Sequence, residues 1–401
     1  DVLAKYAPCA GDFEEVLGTK PGTDEEVIHG PSENDPLAAR IFKTISEEHI
    51  GEMSFFRVYS GKVNAGDDLR NTTRNNSEKM RQIYFISGNK RKDAAQMIAG
   101  DIGAALKLKN THTGDTLSNP KNPILLPAIK YPSLNMSFAI KPKTRGDEEK
   151  IANGLAVMHE EDPTFVYKVD PELKQTIISG QGELHLDIAL KRISERFHVE
   201  LLKETPKVPY RETITGKANA KYRHKKQSGG SGQFAEVWLK VEAADRGEGI
   251  DFSNSLVGQN VDRGFVPSVE KGINHVCADG VIAGCKVVDV KIDFYDGKMH
   301  PVDSNDMAFQ IASKNAFTDA FNDAHPKLLE PIYKIQVKIP EDVMGDIMGD
   351  ISSRRGRVGG MEADGHFQII NAEVPQATMQ DYSTALRSMS SGRGMFKQEF
   401  S

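Results

Sequence analysis

Cysteine is scarce in this 401-residue sequence, and its pattern excludes a disulfide-stabilised fold. Only three cysteines occur, an odd number without a Cys-x-x-Cys pair, which is typical of proteins in a reducing compartment. Apolar runs long enough to cross a membrane are absent as well, since such a helix needs about 20 apolar residues. The first residues also lack the basic and apolar segments of a secretion signal. The sequence therefore predicts a cytoplasmic protein without a membrane partner.

Motifs of nucleotide, metal and catalytic chemistry are also missing. No Gly-x-x-x-x-Gly-Lys-Ser/Thr segment occurs, so no phosphate-binding loop is predicted. The 11 histidines form neither a His-Glu-x-x-His motif nor Cys/His pairs, which predicts no metal site. Only scattered histidines and acids remain as catalytic candidates. We therefore predict no catalytic residue, no cofactor and no enzymatic activity for this chain alone.

Charge is distributed unevenly along the chain. The formal net charge is −6, but residues 1–35 contain nine acidic residues against two lysines, which leaves the other 366 residues with a net charge of +1. Within that remainder, residues 217–240 hold six lysines or arginines against one glutamate. A local basic excess of this kind favours contact with nucleic acid, although a solvated surface strand explains it equally well from charge alone.

Short strands separated by glycine turns dominate residues 36–122. Segments such as RIFKTIS and MRQIYFI are bounded by Gly-Asp turns and show almost no helical periodicity. Strands this short at regular spacing predict a small closed β-barrel. The preceding residues 1–35 have the pattern of a helix end followed by an irregular, acidic linker.

Two later segments share one order of elements. Residues 123–203 contain a strand, an amphipathic helix, two strands, a second amphipathic helix and a last strand, and residues 331–401 repeat that order. The order β-α-β-β-α-β is that of the ferredoxin-like unit. The predicted fold class is therefore multidomain α+β, with a β-barrel, two ferredoxin-like domains and a mixed α/β domain between them.

The intervening segment, residues 204–330, contains two loops of interest. The basic strand KANAKYRHKK leads into the Gly- and Ser-rich loop QSGGSG. Further on, an alternating strand ends at an Asp-Gly turn, and a loop with His300 follows. Asp303 and Ser304 can cap the next helix. We expect the two loops to lie at the same end of one domain.

A second basic cluster lies in SSRRGRVGG, where Arg354, Arg355 and Arg357 follow a helix. Arginines at this place complement the partial negative charge of a helix C-terminus. They could equally hold phosphates through bidentate contacts. We favour phosphate contact because the neighbouring glycines permit close backbone approach, and we expect the arginines to contribute to binding rather than to folding.

Several longer stretches resemble one protein family. They are ISGQGELHLDI, PYRETI, HKKQSGGSGQFAEVWLKVE, RGFVPSVEKGI, MHPVDSNDMAFQIA, LLEPI and GDISSRRGRV. In this order they resemble the signature stretches of translation elongation factor G, the ribosomal translocase. The resemblance implies domains two to five of that factor: the translation-factor β-barrel, a ferredoxin-like domain, an elongated tip domain and a second ferredoxin-like domain. The family's GTPase domain, with its GTP and Mg²⁺, would lie upstream and end within residues 1–35.

The resemblance also implies roles for the tip domain, which in this family reaches the decoding region of the small ribosomal subunit. The implied RNA-contacting residues are Lys225, Lys226, Ser228, Gly229, Gly230, Ser231, Gly232, Gln233, His300 and Asp303. Glycines let the backbone approach a sugar-phosphate surface, and lysines attract that surface without reading its sequence. The expected partner is the ribosome with its ribosomal RNA, tRNA and mRNA, bound by a monomer, with the three arginines of the last domain as further ribosome-contacting candidates.

Other functions stay open. A ribosome-protection protein or a specialised paralogue of the same superfamily shares the domain order, although the intact Gly-Gly-Ser-Gly-Gln and His-Pro-Val-Asp loops argue against protection. A back-translocating relative lacks the tip domain. A stand-alone enzyme is the alternative from a different class, and only scattered histidines and acids support it.

Overall fold

The computed structural model describes residues 2–6, 9–12, 15–47, 51–132, 134–226 and 232–400. The chain divides into two compact units, Asp1–Pro206 and Lys207–Ser401. Short 3₁₀ turns lie at Ala10–Asp12, Arg263–Phe265, Glu341–Val343 and Gln376–Thr378. Among the described residues, no helix has both the length and the apolar character needed to cross a membrane.

The first part of unit one is rich in strands, as predicted for residues 36–122, but residues 16–29, expected to be part of an irregular linker, form two paired strands. Its elements are α1 (Val2–Tyr6), β1 (Val16–Thr19), β2 (Glu26–His29), β3 (Ala38–Glu47), β4 (Gly51–Ser60), β5 (Lys62–Asn64), β6 (Asp68–Asn71), β7 (Asn76–Lys79), β8 (Ile83–Ser87), β9 (Lys90–Ala94), β10 (Gln96–Ile98), β11 (Ile102–Leu106) and β12 (Thr116–Ser118). Side chains at alternate positions of the long strands are buried, Phe56 and Val58 of β4 among them, because successive strand residues point to opposite faces.

The strand pairing corrects the expectation of a closed barrel. Eight strands form one sheet in the order β7-β6-β12-β3-β4-β11-β8-β9, and β5 pairs separately with β10. Within the described residues the ladder therefore starts at β7 and ends at β9 without returning on itself. Both end strands are polar, with the sequences NSEK and KRKDA, and charged side chains are a common protection of an open sheet edge.

The rest of unit one confirms the predicted ferredoxin-like order. Its elements are β13 (Met136–Pro142), α2 (Glu148–Glu161), β14 (Val166–Asp170), β15 (Gln175–Gly180), α3 (Glu183–Phe197) and β16 (Leu201–Glu204). The sheet order is β14-β15-β13-β16. The helices bury one stripe each, with Ile151 and Leu155 of α2 against Leu186 and Ile193 of α3 in one core, as the helical spacing of these apolar residues requires.

Unit two begins with the mixed α/β domain. Its elements are β17 (Arg211–Ile214), β18 (Lys217–Lys226), β19 (Gln233–Ala243), β20 (Ile250–Asn254), α4 (Val266–Asp279), β21 (Val290–Lys298), α5 (Asp306–Asp323) and β22 (Pro326–Leu329). The main sheet has the order β18-β19-β21-β20. Its inner face, with Val237, Leu239 and Phe294, packs in one core with Phe309 and Phe317 of α5. The other face of the sheet carries charged side chains and the Trp238–Tyr295 ring pair.

The last domain repeats the topology of the first ferredoxin-like domain. Its elements are β23 (Ile332–Pro340), α6 (Met344–Ser353), β24 (Arg357–Asp364), β25 (Phe367–Pro375), α7 (Tyr382–Met389) and β26 (Met395–Phe400). The order β24-β25-β23-β26 places its strands as in the earlier domain. Ile335, Val337 and Ile339 alternate toward the core with Ile347 and Ile351 of α6. The sequence repeat is thus a repeat of fold.

Candidate nucleic-acid interface

The two loops of the mixed α/β domain meet at one end of its main sheet. Lys226, the last residue of β18, lies opposite Gln233, the first residue of β19. The loop after β21 contacts the residues on both sides of Gln233. The Gly232 N–H donates to Asp303 Oδ1 at 3.1 Å, and the Phe234 N–H donates to the Asp303 backbone carbonyl at 2.8 Å. Asp303 therefore fastens the His300 loop to the hairpin. We call this end of the domain, residues 225–226, 232–234 and 299–304, the tip.

Part of the predicted site lies outside the described residues, namely Ser228, Gly229, Gly230 and Ser231. Gly232 is described and buried. A Cβ atom there would lie 3.0 Å from both Cγ and Oδ1 of Asp303, which is too close for an ordinary contact. Glycine at this position thus lets the His300 loop approach the hairpin. This explains Gly232 by packing inside the domain, whereas the prediction from sequence explained the glycines by close approach to RNA.

His300 is held by one edge of its ring. Its Nδ1 accepts the N–H groups of Val302 at 3.3 Å and Asp303 at 3.2 Å, and its own N–H donates to Ser304 Oγ at 2.8 Å. A neutral imidazole whose Nδ1 accepts carries its proton on Nε2. Asp303 Oδ2 also lies 3.4 Å from Nδ1, and the His300 side chain is 51 % exposed, so Nε2 is the ring nitrogen left to face a ligand.

The positive charge of the tip is concentrated in two lysines. Lys225 and Lys226 are exposed, and within the described chain neither forms an ion pair. Arg223 differs, because it pairs with the buried carboxylate of Glu236. Burial alone would raise the pKa of Glu236, but hydrogen bonds from Trp238 and Arg223 outweigh it and hold that pKa below its ordinary value. Glu236 therefore stays charged and neutralises Arg223.

Sequence reasoning assigned Ser304 to a helix cap and missed Phe234, yet both shape the tip, and the cap of α5 is Asn305, whose side chain accepts from the Ala308 N–H. Ser304 Oγ donates to the Phe234 carbonyl at 2.7 Å while it accepts from His300, so it joins the two loops. The Phe234 ring lies 6.3 Å from the His300 ring at an angle of 62°, an edge-on contact that limits where the imidazole can turn. A Ser after Asp in a loop is a turn signal that could have indicated the first. Gln233 is also engaged, with its Oε1 2.9 Å from His224 Nε2.

The three arginines of the last domain occupy different environments. The Arg354 side chain is only 12 % exposed. Its guanidinium donates to Asp350 at 2.8 Å, to Asp381 at 2.6 Å and to the Thr378 carbonyl at 2.5 Å. This corrects the expectation that all three arginines serve binding rather than folding, because Arg354 joins α6 to the residues before α7.

Arg355 and Arg357 are more accessible than Arg354. Arg355 forms a bidentate pair with Glu330, at 2.6 and 2.9 Å, and its side chain is 57 % exposed. Arg357 is exposed and has no ion pair within the described chain. Ribosome contact by these two arginines stays a prediction.

Four sequence models of one family match successive parts of the chain. They are elongation factor G domain 2 at residues 36–120, domain III at 131–204, domain IV at 206–325 and the C-terminus at 327–401. The matches follow one another in the family's order and leave only short gaps. The chain belongs to the elongation factor G family. The strand-rich domain is its domain II, and the domain with the tip is its domain IV.

A solved structure supports this membership. The chain is similar to a crystal structure of a protein from Thermus thermophilus, with 34% sequence identity and a TM-score of 0.78. The match covers 91% of this chain and 55% of that one, so the chain spans about half the length of the protein that it matches. Within the described residues of this elongation factor G chain, no group of three or more His, Cys, Asp or Glu side chains is placed to hold a metal ion.

The partly buried position of Arg354 and its three hydrogen-bond partners predict a stability effect in the last domain of this elongation factor G chain. Arg354→Gln removes the charge that two carboxylates face, and we expect a loss of about 2 kcal/mol or more. Arg357→Gln, on the surface, should change stability by no more than about 0.5 kcal/mol. Scanning calorimetry of both variants checks the difference. Equal transition temperatures would show that Arg354 does not support the fold.

Proposed function

We propose that this chain is the ribosome-binding part of an elongation factor G-like translocase, which promotes GTP-dependent movement of tRNA and mRNA during protein synthesis. Family membership supports the role in translation. The observation that carries the finer proposal is the tip, where two exposed lysines and the free edge of His300 lie beside one another at the end of a sheet. That arrangement suits a phosphate-rich surface because it offers charge and one directional donor.

The chemistry of the tip favours RNA contact that tolerates any sequence. Lysine ammonium groups attract phosphates without distinguishing bases. Gly232 has no side chain, and the Gln233 amide oxygen is already engaged with His224. A translocase needs such tolerance because every codon passes the same site. GTP and Mg²⁺ belong, in this proposal, to a GTPase domain encoded together with this chain. The protein would work in the cytoplasm as a monomer.

A specialised paralogue or a ribosome-protection protein is the second candidate within the superfamily. The test is a translation assay with the complete natural protein. A translocase should move tRNA and mRNA by one codon in rapid kinetic measurements on pre-translocation ribosomes. A protection protein should instead restore translation in the presence of tetracycline without accelerating that movement. Absence of any ribosome binding by the 401-residue chain would contradict both.

Neutralising the tip lysines should weaken ribosome binding because fewer phosphates are then neutralised. For Lys225→Gln and Lys226→Gln, we expect weaker binding and a log-log salt dependence that is flatter by up to about one unit for each lysine that no longer faces a phosphate. Lys240→Gln is the matched control, because Lys240 lies on the same sheet, opposite Asn219 and away from the tip. Binding measured across a salt series checks this. An unchanged slope in both tip variants would remove these lysines from the interface.

A further inference from the structure

Two arginines lie directly opposite each other in the central part of the domain II sheet. Arg40 of β3 and Arg57 of β4 are register partners in the antiparallel ladder. Directly opposite residues point to the same face, and like charges at such positions destabilise the pair. A negative group between the two guanidinium groups would relieve this repulsion.

The described residues do not supply that group. Arg40 donates one N–H to the Pro127 carbonyl at 2.5 Å, and the Arg57 guanidinium lies 5.4 Å from the centre of the Tyr59 ring. The Nε atoms of both arginines are buried without a hydrogen-bond partner. Among the described residues, no carboxylate, Glu15 included, lies within ion-pair distance of either arginine. Buried donors without acceptors are costly, so each guanidinium keeps unsatisfied hydrogen-bonding capacity at the edge of the sheet face.

Both arginines line a cleft of about 290 Å³. Its other lining residues are largely apolar, Val16, Leu17, Tyr59 and Leu126 among them, and Glu15 is the one carboxylate among the lining residues. The volume lies near the lower limit of small-molecule sites. An apolar cleft with a few convergent polar groups is the usual form of such a site.

We propose that the Arg40–Arg57 cleft binds a small phosphorylated molecule, with its phosphate between the two guanidinium groups and its organic part against the apolar wall. A phosphate monoester carries between one and two negative charges at neutral pH and three acceptor oxygens. It can therefore neutralise both arginines and accept from both forks, whereas a carboxylate balances only one. Planar guanidinium groups favour this bidentate geometry.

Calorimetric titration of the 401-residue chain with phenyl phosphate tests the proposal. We expect one binding site, and at least about ten-fold weaker binding in Arg40→Gln and in Arg57→Gln, because each variant loses one charged donor group. Arg81→Gln, an exposed arginine of the same domain, should leave the affinity unchanged. Benzoate, the matched carboxylate, should bind at least about ten-fold more weakly than phenyl phosphate, for the same reason of charge.

Arg40→Lys and Arg57→Lys keep the positive charge and the aliphatic part of the side chain. They replace the glutamine variants in the test if those fail to fold. Each should still weaken binding of phenyl phosphate, because an ammonium group lacks the planar fork. No heat of binding with wild-type protein at millimolar phenyl phosphate would overturn the proposal. Full affinity in the folded variants at both positions would overturn it too. Equal affinity for benzoate would refute the assignment to phosphate.

Discussion

Replacing Glu212 by glutamine should lower the free energy of unfolding of domain IV by more than a change at a surface residue does. The Glu212 side chain is fully buried, and its carboxylate accepts the backbone N–H groups of Val281, Ile282, Ala283 and Cys285 at 2.6, 2.9, 2.8 and 3.0 Å. A glutamine would turn a donating amide toward two of these donors. We expect a loss of about 3 to 5 kcal/mol, the usual cost of uncovering one side of a buried charged contact.

The single tryptophan makes this measurement specific. Trp238 lies in β19 of the same domain, so its fluorescence during urea unfolding reports on domain IV alone. Glu242→Gln is the matched control, since Glu242 is a surface residue of β19 in the same domain and its side chain is 54% exposed. It should change the unfolding free energy by no more than about 0.5 kcal/mol. Similar midpoints for the two variants would contradict the role assigned to Glu212.

Acid should reduce the difference between wild type and Glu212→Gln. Burial by itself would raise the pKa of Glu212, but the four backbone hydrogen bonds outweigh it and lower the pKa below its ordinary value of 4.5. A carboxylate with a lowered pKa in the folded state contributes stability above its unfolded pKa. That contribution is lost as the pH falls through the folded value. The unfolding free energies of wild type and variant should therefore converge below about pH 4.5.

His300 should prove to act on translocation through Nε2 and on its own loop through Nδ1. His300→Asn places an acceptor oxygen near the position of Nδ1 and removes Nε2, while His300→Gln does the reverse. In the complete natural protein, we expect His300→Asn to slow tRNA movement about ten-fold, the equivalent of one lost hydrogen bond to a charged group. GTP hydrolysis and initial ribosome binding should change little. Rapid kinetics of both variants provides the measurement.

The two substitutions separate mechanism from loop support. If His300 only stabilises its turn, His300→Asn should translocate normally, and His300→Gln should be impaired because Val302 and Asp303 lose their shared acceptor. Asp303→Asn is a useful third variant. It removes the side-chain carboxylate, while the backbone carbonyl of residue 303 still accepts from the Phe234 N–H. A variant that loses binding and translocation to the same extent would show that His300 contributes to docking rather than to movement.

Much of the fold could be predicted from local patterns. The order of elements in both ferredoxin-like domains follows from alternation in strands such as β23 and from apolar spacing in helices such as α2, which depend on neighbours in sequence. The same holds for the basic strand that ends at Lys226. Local patterns could not show whether the strands of domain II close into a barrel. The alternation within one strand does not specify which distant strand it pairs with.

The sequence by itself determined the family, the series of domains and the place of the two loops along the chain. Only the tertiary structure decided which charges are available. Arg354 and Arg357 are three residues apart and look alike in sequence, yet one faces Asp350 and Asp381 and the other faces solvent. Arg40 and Arg57 become opposite partners only when β3 pairs with β4. The physical reason is that burial and charge pairing depend on contacts between distant segments, and local periodicity carries no record of them.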